Sequence, residues 1–291
     1  MHSSGKIEDR VFGQPEKMPA PQLATRESRE FDLLGVTVEG AEAAYAQQGR
    51  VALPPLVFLH GWGSSHKWWR YQLAAFSPRY RCIAPDWVGF GLSEKPKRDY
   101  SLEAMAAWLG KFLDALNLPK VTLVGHSMGG TIGLLFALAC PDRVEKLAVV
   151  NPLIAGPTAF SGKTKFSMLP GVRLLLYGLA RVGPIRRWVA KDFSYAAALD
   201  DELAKDVTRG SCRSTFDTLA ELKRIDLRPR LAGLKVPTLA VGTDQDRIVA
   251  PGQHALVPAR KQVQIAEAGH VPMVERPAEF NAILDGFLRE A

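Results

Sequence analysis

Compact apolar runs alternate along the chain with longer helix-like stretches. The runs are Pro55–His60 (PLVFLH), Arg81–Pro85 (RCIAP), Lys120–Gly125 (KVTLVG), Lys146–Asn151 (KLAVVN), Pro237–Gly242 (PTLAVG) and Lys261–Ala266 (KQVQIA). Unbroken valine, isoleucine and leucine over this length predicts strands buried on both faces of a parallel sheet. LLGVTV from Leu33 and AEAAYAQQG from Ala41 predict two opening strands, with Gly40 at the turn between them. Helices are predicted over Ser101–Asn117, Met128–Cys140 and Arg276–Arg289. The alternation predicts an α/β fold, a mostly parallel sheet flanked by helices with short right-handed crossovers.

One interval breaks the rhythm. Between Asn151 and Val236 there are helix-like patterns but no buried strand, and a structureless loop of that length does not suit a compact domain. A helical cap inserted after the sixth strand is therefore expected. The expected division is an N-terminal arm, 1–30, a core of 31–151 and 232–291, and a cap, 152–231. The arm begins MHSSGKIEDRVFGQPEKMPAPQ, which is polar and proline-bearing. It has no apolar h-region, so no signal peptide is expected there.

Composition narrows the picture. Of 291 residues, 47% are hydrophobic and 23% charged, as in a soluble globular protein with a substantial core. No apolar run reaches the roughly 18 residues that span a bilayer. Cys82, Cys140 and Cys212 are odd in number and widely spaced, which favours a reduced, cytoplasmic setting and suggests no metal site.

The formal charge of +7 is local: seven basic residues and no acidic one lie between Leu153 and Lys191. A balanced remainder argues against a general nucleic-acid binder. For the window MLPGVRLLLYGLARVGPIRRWVAK two readings stand. Its apolar residues pack over the active site while Arg and Lys face water, or it forms a cationic apolar surface that rests on anionic lipid or steers acidic substrates.

Candidate chemistry centres on KVTLVGHSMGGTIG. A bare G-x-S-x-G is a short match, but here a buried-strand pattern precedes it and a helix pattern follows. A tight strand–turn–helix forces Ser127 into a strained conformation and demands glycine two positions away on either side, which Gly125 and Gly129 supply. The turn also sets Ser127 at the positive end of a helix. The serine needs a base. His2 lies in the arm; His60, His66 and His254 lie at strand ends or in loops; His126 adjoins Ser127 and is expected to point away. His270 follows the last strand on a glycine-bearing loop, in AEAGHVPMVERP. Two acids, Asp244 and Asp246, are available at the end of the preceding strand, in VGTDQDRIVAP.

From about residue 33 to its end the chain resembles the α/β-hydrolase family. The matching motifs are HGWG (His60–Gly63), PDWVGFGLS (Pro85–Ser93), GHSMGG (Gly125–Gly130), DRIV (Asp246–Val249) and GHVPMVERP (Gly269–Pro277). That resemblance implies Ser127 as nucleophile, His270 as general base and then acid, and Asp246 as the residue orienting the imidazole. Asp246 is preferred to Asp244 because it opens the D-x-x-V segment before a proline, although that proline comes one residue later than the family's pattern. The resemblance also implies an oxyanion hole from the backbone N–H groups of Trp62 and Met128. Trp62 is expected to wall an acyl pocket, and His60 and His126 are included with it as substrate-binding candidates, although His60 is expected chiefly to support the oxyanion loop. Trp68, Trp69 and Asp86 are expected to be structural.

A serine at the elbow argues against the carboxylate-nucleophile dehalogenases and epoxide hydrolases that PDWVGFGLSEKP resembles. The expected activity is hydrolysis of carboxylic esters of apolar acyl substrates, as in a carboxylesterase or small lipase, with no metal or organic cofactor. Carbon–carbon bond hydrolysis of diketones, cofactor-free perhydrolase or haloperoxidase activity, and a small-molecule receptor are the alternatives.

Overall fold

The computed structural model of the protein describes residues 31–160, 191–195 and 201–290, with isolated positions between 178 and 199. The N-terminal arm lies outside the described residues, as does most of the basic window, including Lys163, Lys165, Arg173, Arg181 and Arg186.

Eight strands form one sheet in the order β1-β2-β4-β3-β5-β6-β7-β8. The strands are β1 (Asp32–Val38), β2 (Ala41–Gln48), β3 (Pro55–Leu59), β4 (Arg81–Pro85), β5 (Val121–His126), β6 (Val144–Val150), β7 (Thr238–Thr243) and β8 (Lys261–Ile265). The β1–β2 and β2–β4 pairs are antiparallel and the rest parallel. A two-residue turn joins β1 to β2, with Glu39 at φ 51 and Gly40 at φ 80. Positive φ at both central residues matches the twist of the flanking strands, and the pair keeps the hairpin tight. β5 and β7 are buried at every position, as their unbroken apolar runs predict. β8 departs from that expectation. KQVQI has exposed or half-exposed residues at four of five positions, because β8 is the sheet edge and only β7 flanks it.

Helices cover both faces. α1 (Arg70–Phe76), α2 (Leu102–Ala115) and α3 (Met128–Ala139) come from the first half of the chain. α2 begins where Ser101 caps it, its hydroxyl accepting from the Ala104 N–H at 3.2 Å. Its Leu102, Met105, Leu109 and Phe112 join α3 in a cluster with Val57, Leu123 and Leu147 on one sheet face. Trp69, Phe76, Phe280 and Phe287 pack with Leu56, Phe58 and Val241 on the other face. Each such buried side chain contributes about 1.5–3 kcal/mol of transfer free energy.

Between β6 and β7 the described residues carry α4 (Gly156–Ala159), α5 (Asp201–Asp206) and α6 (Cys212–Arg224), and no strand of the sheet. The excursion is closed at its neck by backbone bonds, Leu227 N–H to Ile154 O at 2.8 Å and Gly156 N–H to Ile225 O at 2.7 Å. Ser211 caps α6, and the helix buries Thr215, Thr218, Leu219 and Leu222 toward the core. The chain ends with α7 (Pro272–Glu275) and α8 (Pro277–Arg289).

Candidate active site

The parallel strands aim their carboxyl ends at one rim of the sheet, where open α/β folds hold their ligands. Ser127 follows β5 directly and starts α3. Its φ is 52 and ψ is −120, a region that a side-chain-bearing residue occupies only under constraint. The constraint is visible. A Cβ on Gly125 would lie 2.5 Å from Gly129 O, and one on Gly129 would lie 2.3 Å from Leu59 O. Only glycines permit the turn. The Ser127 carbonyl then accepts from the Thr131 N–H at 3.0 Å, the first bond of α3.

His270 and Asp246 meet after β8 and β7. His270 Nδ1 lies 2.7 Å from Asp246 Oδ2, and both side chains are nearly fully buried. Since the carboxylate accepts, Nδ1 carries a proton, which in the neutral ring leaves Nε2 as the nitrogen able to accept one. Asp246 is itself held by the N–H groups of Ile248 and Val249, both 2.8 Å from Oδ1. Asp244 does something else. Its Oδ1 accepts weakly from the Ala268 N–H at 3.4 Å and ties the start of the His270 loop.

His126 does not point away, contrary to expectation. Its ring lies 4.6 Å from that of His270, centroid to centroid, and its Nε2 donates to the His270 carbonyl at 2.8 Å. Asn151, at the end of β6, donates to the same carbonyl at 3.0 Å. Two side chains from neighbouring strand ends therefore clamp the backbone of His270. Burial, and then repulsion from His270, hold the His126 pKa well below its ordinary value, so the ring is neutral. Its Nδ1 is buried with no hydrogen-bond partner among the described residues, and faces Gly61, where a Cβ would stand 2.9 Å away.

The loop after β3 lies directly against the elbow. A Cβ on Gly61 would also lie 3.1 Å from Ser127 Cβ, so the loop carrying the Trp62 N–H rests on the serine. His60 fixes that loop. The Trp87 N–H donates to His60 Nε2 at 3.1 Å, which makes Nδ1 the protonated nitrogen, and it reaches Gly61 O at 2.8 Å. Both ring nitrogens are thus taken up by the backbone, and His60 has none to offer a substrate. That corrects its place among the substrate-binding candidates, and burial lowers its pKa to about 4. The Trp62 indole N–H donates to Thr215 O of α6 at 2.9 Å, which ties its side chain to the excursion between β6 and β7.

Below the loop sits Asp86, fully buried. It accepts from His66 N–H at 2.7 Å, His66 Nδ1 at 2.9 Å and Leu92 N–H at 2.7 Å. Burial alone would raise its pKa, but His66, His60 and Leu92 outweigh it and bring the carboxyl to about 2. Trp68 and Trp69 are buried, as their packing role requires. A further bond of Trp68 had no sequence signal. Its indole N–H donates to Asp206 of α5 at 3.2 Å, across 138 positions of chain.

The family model for the alpha/beta hydrolase fold matches residues 54–171. The 3-oxoadipate enol-lactonase 2 of Acinetobacter baylyi is 26% identical over 260 residues, 87% of this chain and 96% of that protein. A Serratia proteamaculans protein provisionally named carbamate hydrolase RutD is 32% identical over 244 residues, 81% of this chain and 91% of its own. Among solved structures, a membrane phospholipase A described as a bacterial virulence factor superposes with a TM-score of 0.72 at 26% identity, over 90% of this chain and 88% of that one.

Proposed function

The chain belongs to the α/β-hydrolase fold family, and from that premise we propose that it is a serine hydrolase cleaving carboxylic esters of apolar acyl substrates. The observation that carries this reading is the backbone of Ser127, held at φ 52 between two glycines that tolerate no Cβ. Such strain persists where a side chain must be presented. The buried His270–Asp246 pair supplies the base and its orientation.

In this mechanism Ser127 Oγ attacks the ester carbonyl while His270 Nε2 takes the hydroxyl proton. The N–H groups of Met128 and Trp62 receive the developing oxyanion, each donor lowering the barrier by on the order of 3 kcal/mol. His270 returns the proton to the departing alcohol, leaving an acyl ester on Ser127. Water, deprotonated by the same imidazole, then releases the carboxylic acid and restores the serine. Asp246 keeps the imidazole in the Nδ1–H tautomer and stabilises its protonated form. The substrates in the names of the three similar proteins, a lactone, a carbamate and a phospholipid, each present a carbonyl with a heteroatom leaving group. That shared chemistry supports acyl transfer to water over carbon–carbon cleavage. A reduced cytoplasmic setting is part of the proposal, supported by the odd number and wide spacing of Cys82, Cys140 and Cys212. Among the described residues no helix is long and apolar enough to cross a membrane.

A fluorophosphonate probe tests the nucleophile. It is expected to label the wild type and spare Ser127→Ala, and the wild type is expected to turn over short-chain p-nitrophenyl esters repeatedly. Equal labelling of both proteins would overturn Ser127 as the nucleophile, and at most a single slow turnover would remove the hydrolase reading and leave that of a receptor. Adding an enol-lactone, a carbamate and a diketone to the panel ranks the leaving groups.

A further inference from the structure

The cap side of the oxyanion loop holds a buried acid that the proposed chemistry does not use. Asp206 closes α5 and is 1% exposed. Its Oδ2 accepts from Ser65 Oγ at 2.5 Å and from Trp68 Nε1 at 3.2 Å. Both donors lie a few residues beyond Trp62, on the same segment. Among the described residues Oδ1 makes no hydrogen bond, and it meets Arg209 Nε in a longer ion pair at 3.4 Å. The cap touches the segment elsewhere too. Thr215 O takes the Trp62 indole N–H, Val207 stands over Gly63, and Glu202 pairs with Lys67 at 2.8 Å in solvent. Of these contacts, only that to Asp206 joins a buried ionisable group to two donors of the loop.

We propose that Asp206 is a positioning residue: through Ser65 and Trp68 it anchors the segment that carries the Trp62 oxyanion donor, and protonation of its carboxylate weakens that anchor. The proposal rests on the reading of Ser127 as nucleophile and the Trp62 N–H as one of its oxyanion donors. Bonds from a hydroxyl and an indole to a carboxylate are charge-assisted, and they fall to ordinary neutral strength once the acid is protonated. The groups facing Asp206 decide when that happens. Arg209 follows it in the chain and is partly exposed, Lys67 lies on the loop and is drawn outward to Glu202, and Asp86 lies beneath, already paired with His66. Glu202 and Lys205, on the same helix, pair with each other in solvent. Burial is the largest influence and Asp86 adds to it; Ser65, Arg209 and Lys67 oppose them, and the acid comes to about 6. The carboxylate is therefore charged at neutral pH and becomes protonated in mild acid.

The test uses the full chain with 15N-labelled tryptophan, its Trp68 indole resonance assigned through Trp68→Phe. In the wild type that resonance is expected to move with a midpoint near pH 6, and in Asp206→Asn to stay flat. At pH 7.5, Asp206→Asn is expected to lower kcat on a short-chain ester about 5- to 10-fold with KM changed less than about 2-fold, because the substitution displaces a transition-state donor and leaves ground-state binding of the substrate as it was. Ser65→Ala, which keeps the acid, is expected to lower kcat in the same sense and guards against a folding defect in Asp206→Asn. A Trp68 resonance that is flat in the wild type, or titrates unchanged in Asp206→Asn, overturns the proposal. So does an effect confined to KM. The NMR titration is expected unaltered in Ser127→Ala, so failure of the nucleophile reading and failure of the anchor are separately visible.

Discussion

Buried carboxylates on the core side and the cap side of this site live in opposite surroundings. Asp86 and Asp246 belong to the core. Asp86 accepts three hydrogen bonds, two of them from backbone N–H groups, and Asp246 accepts two backbone N–H groups and His270. Asp206 belongs to the excursion between β6 and β7, here the cap side, and accepts two, both from side chains, with one oxygen left to a long ion pair. The acids differ as well: burial raises both, but His66, then His60 and the Leu92 N–H, bring Asp86 to about 2, whereas burial with repulsion from Asp86 leaves Asp206 at about 6. Backbone N–H donors are set by the path of the chain and do not move with a side-chain rotamer. Donors offered by a docked helix and loop depend on how the two pieces meet. Backbone donors thus predominate around Asp86 and Asp246, and side-chain donors alone serve Asp206.

The contrast between the two sides is tested most severely at Asp246. Asp246→Asn is expected to lower turnover by about 10³- to 10⁴-fold, since an amide at Nδ1 favours the wrong imidazole tautomer. Asp244→Asn, which disturbs only a 3.4 Å bond to Ala268 N–H, is expected to stay within about 10-fold of wild type. Steady-state kinetics decide it, and the reverse order would assign the acid to Asp244. Next in size is Asp86→Ala. It strands the donors of His66 and Leu92 in a dry interior, at a cost of about 3–5 kcal/mol, and a melting temperature lowered by on the order of 10 °C is expected. A melt unchanged from wild type would mean that Asp86 is not the support of the core side. Smallest is Glu202→Gln at the exposed rim of the cap contact. The Lys67–Glu202 pair is screened by solvent, so stability is expected to change by less than about 0.5 kcal/mol and kcat not at all. If kcat instead fell as far as in Asp206→Asn, burial would not be what distinguishes Asp206.

Much of the core side is legible before any coordinates. The runs from Pro55 to Ala266 predict the strands because burial on both faces leaves no room for polar residues, and the prediction weakens at KQVQI, where the sheet ends and one flank is open. Gly125 and Gly129 announce the elbow because the steric demand at Ser127 is local and falls on fixed positions. The choice between Asp244 and Asp246 is different in kind. Both follow β7 within three residues of its end, and only the fold shows Asp246 bonded to His270 while Asp244 holds the loop.

The cap side carried almost no signal. Nothing about the aspartate at 206 distinguishes it in sequence from Asp201 or Asp217, because its partners Ser65 and Trp68 are more than a hundred residues away and meet it only when α5 docks. The same distance hid the clamp on the His270 carbonyl, which needs the ends of β5 and β6 to lie side by side, and it hid the direction of His126. Residue order alone dictates which segments are strands and helices and where a strained serine must stand, since those follow from periodicity and from sterics between near neighbours. Which acid serves His270, which histidine holds a loop and which carboxylate is left short of donors are settled by tertiary contacts, since each depends on desolvation and on partners that chain order does not bring together.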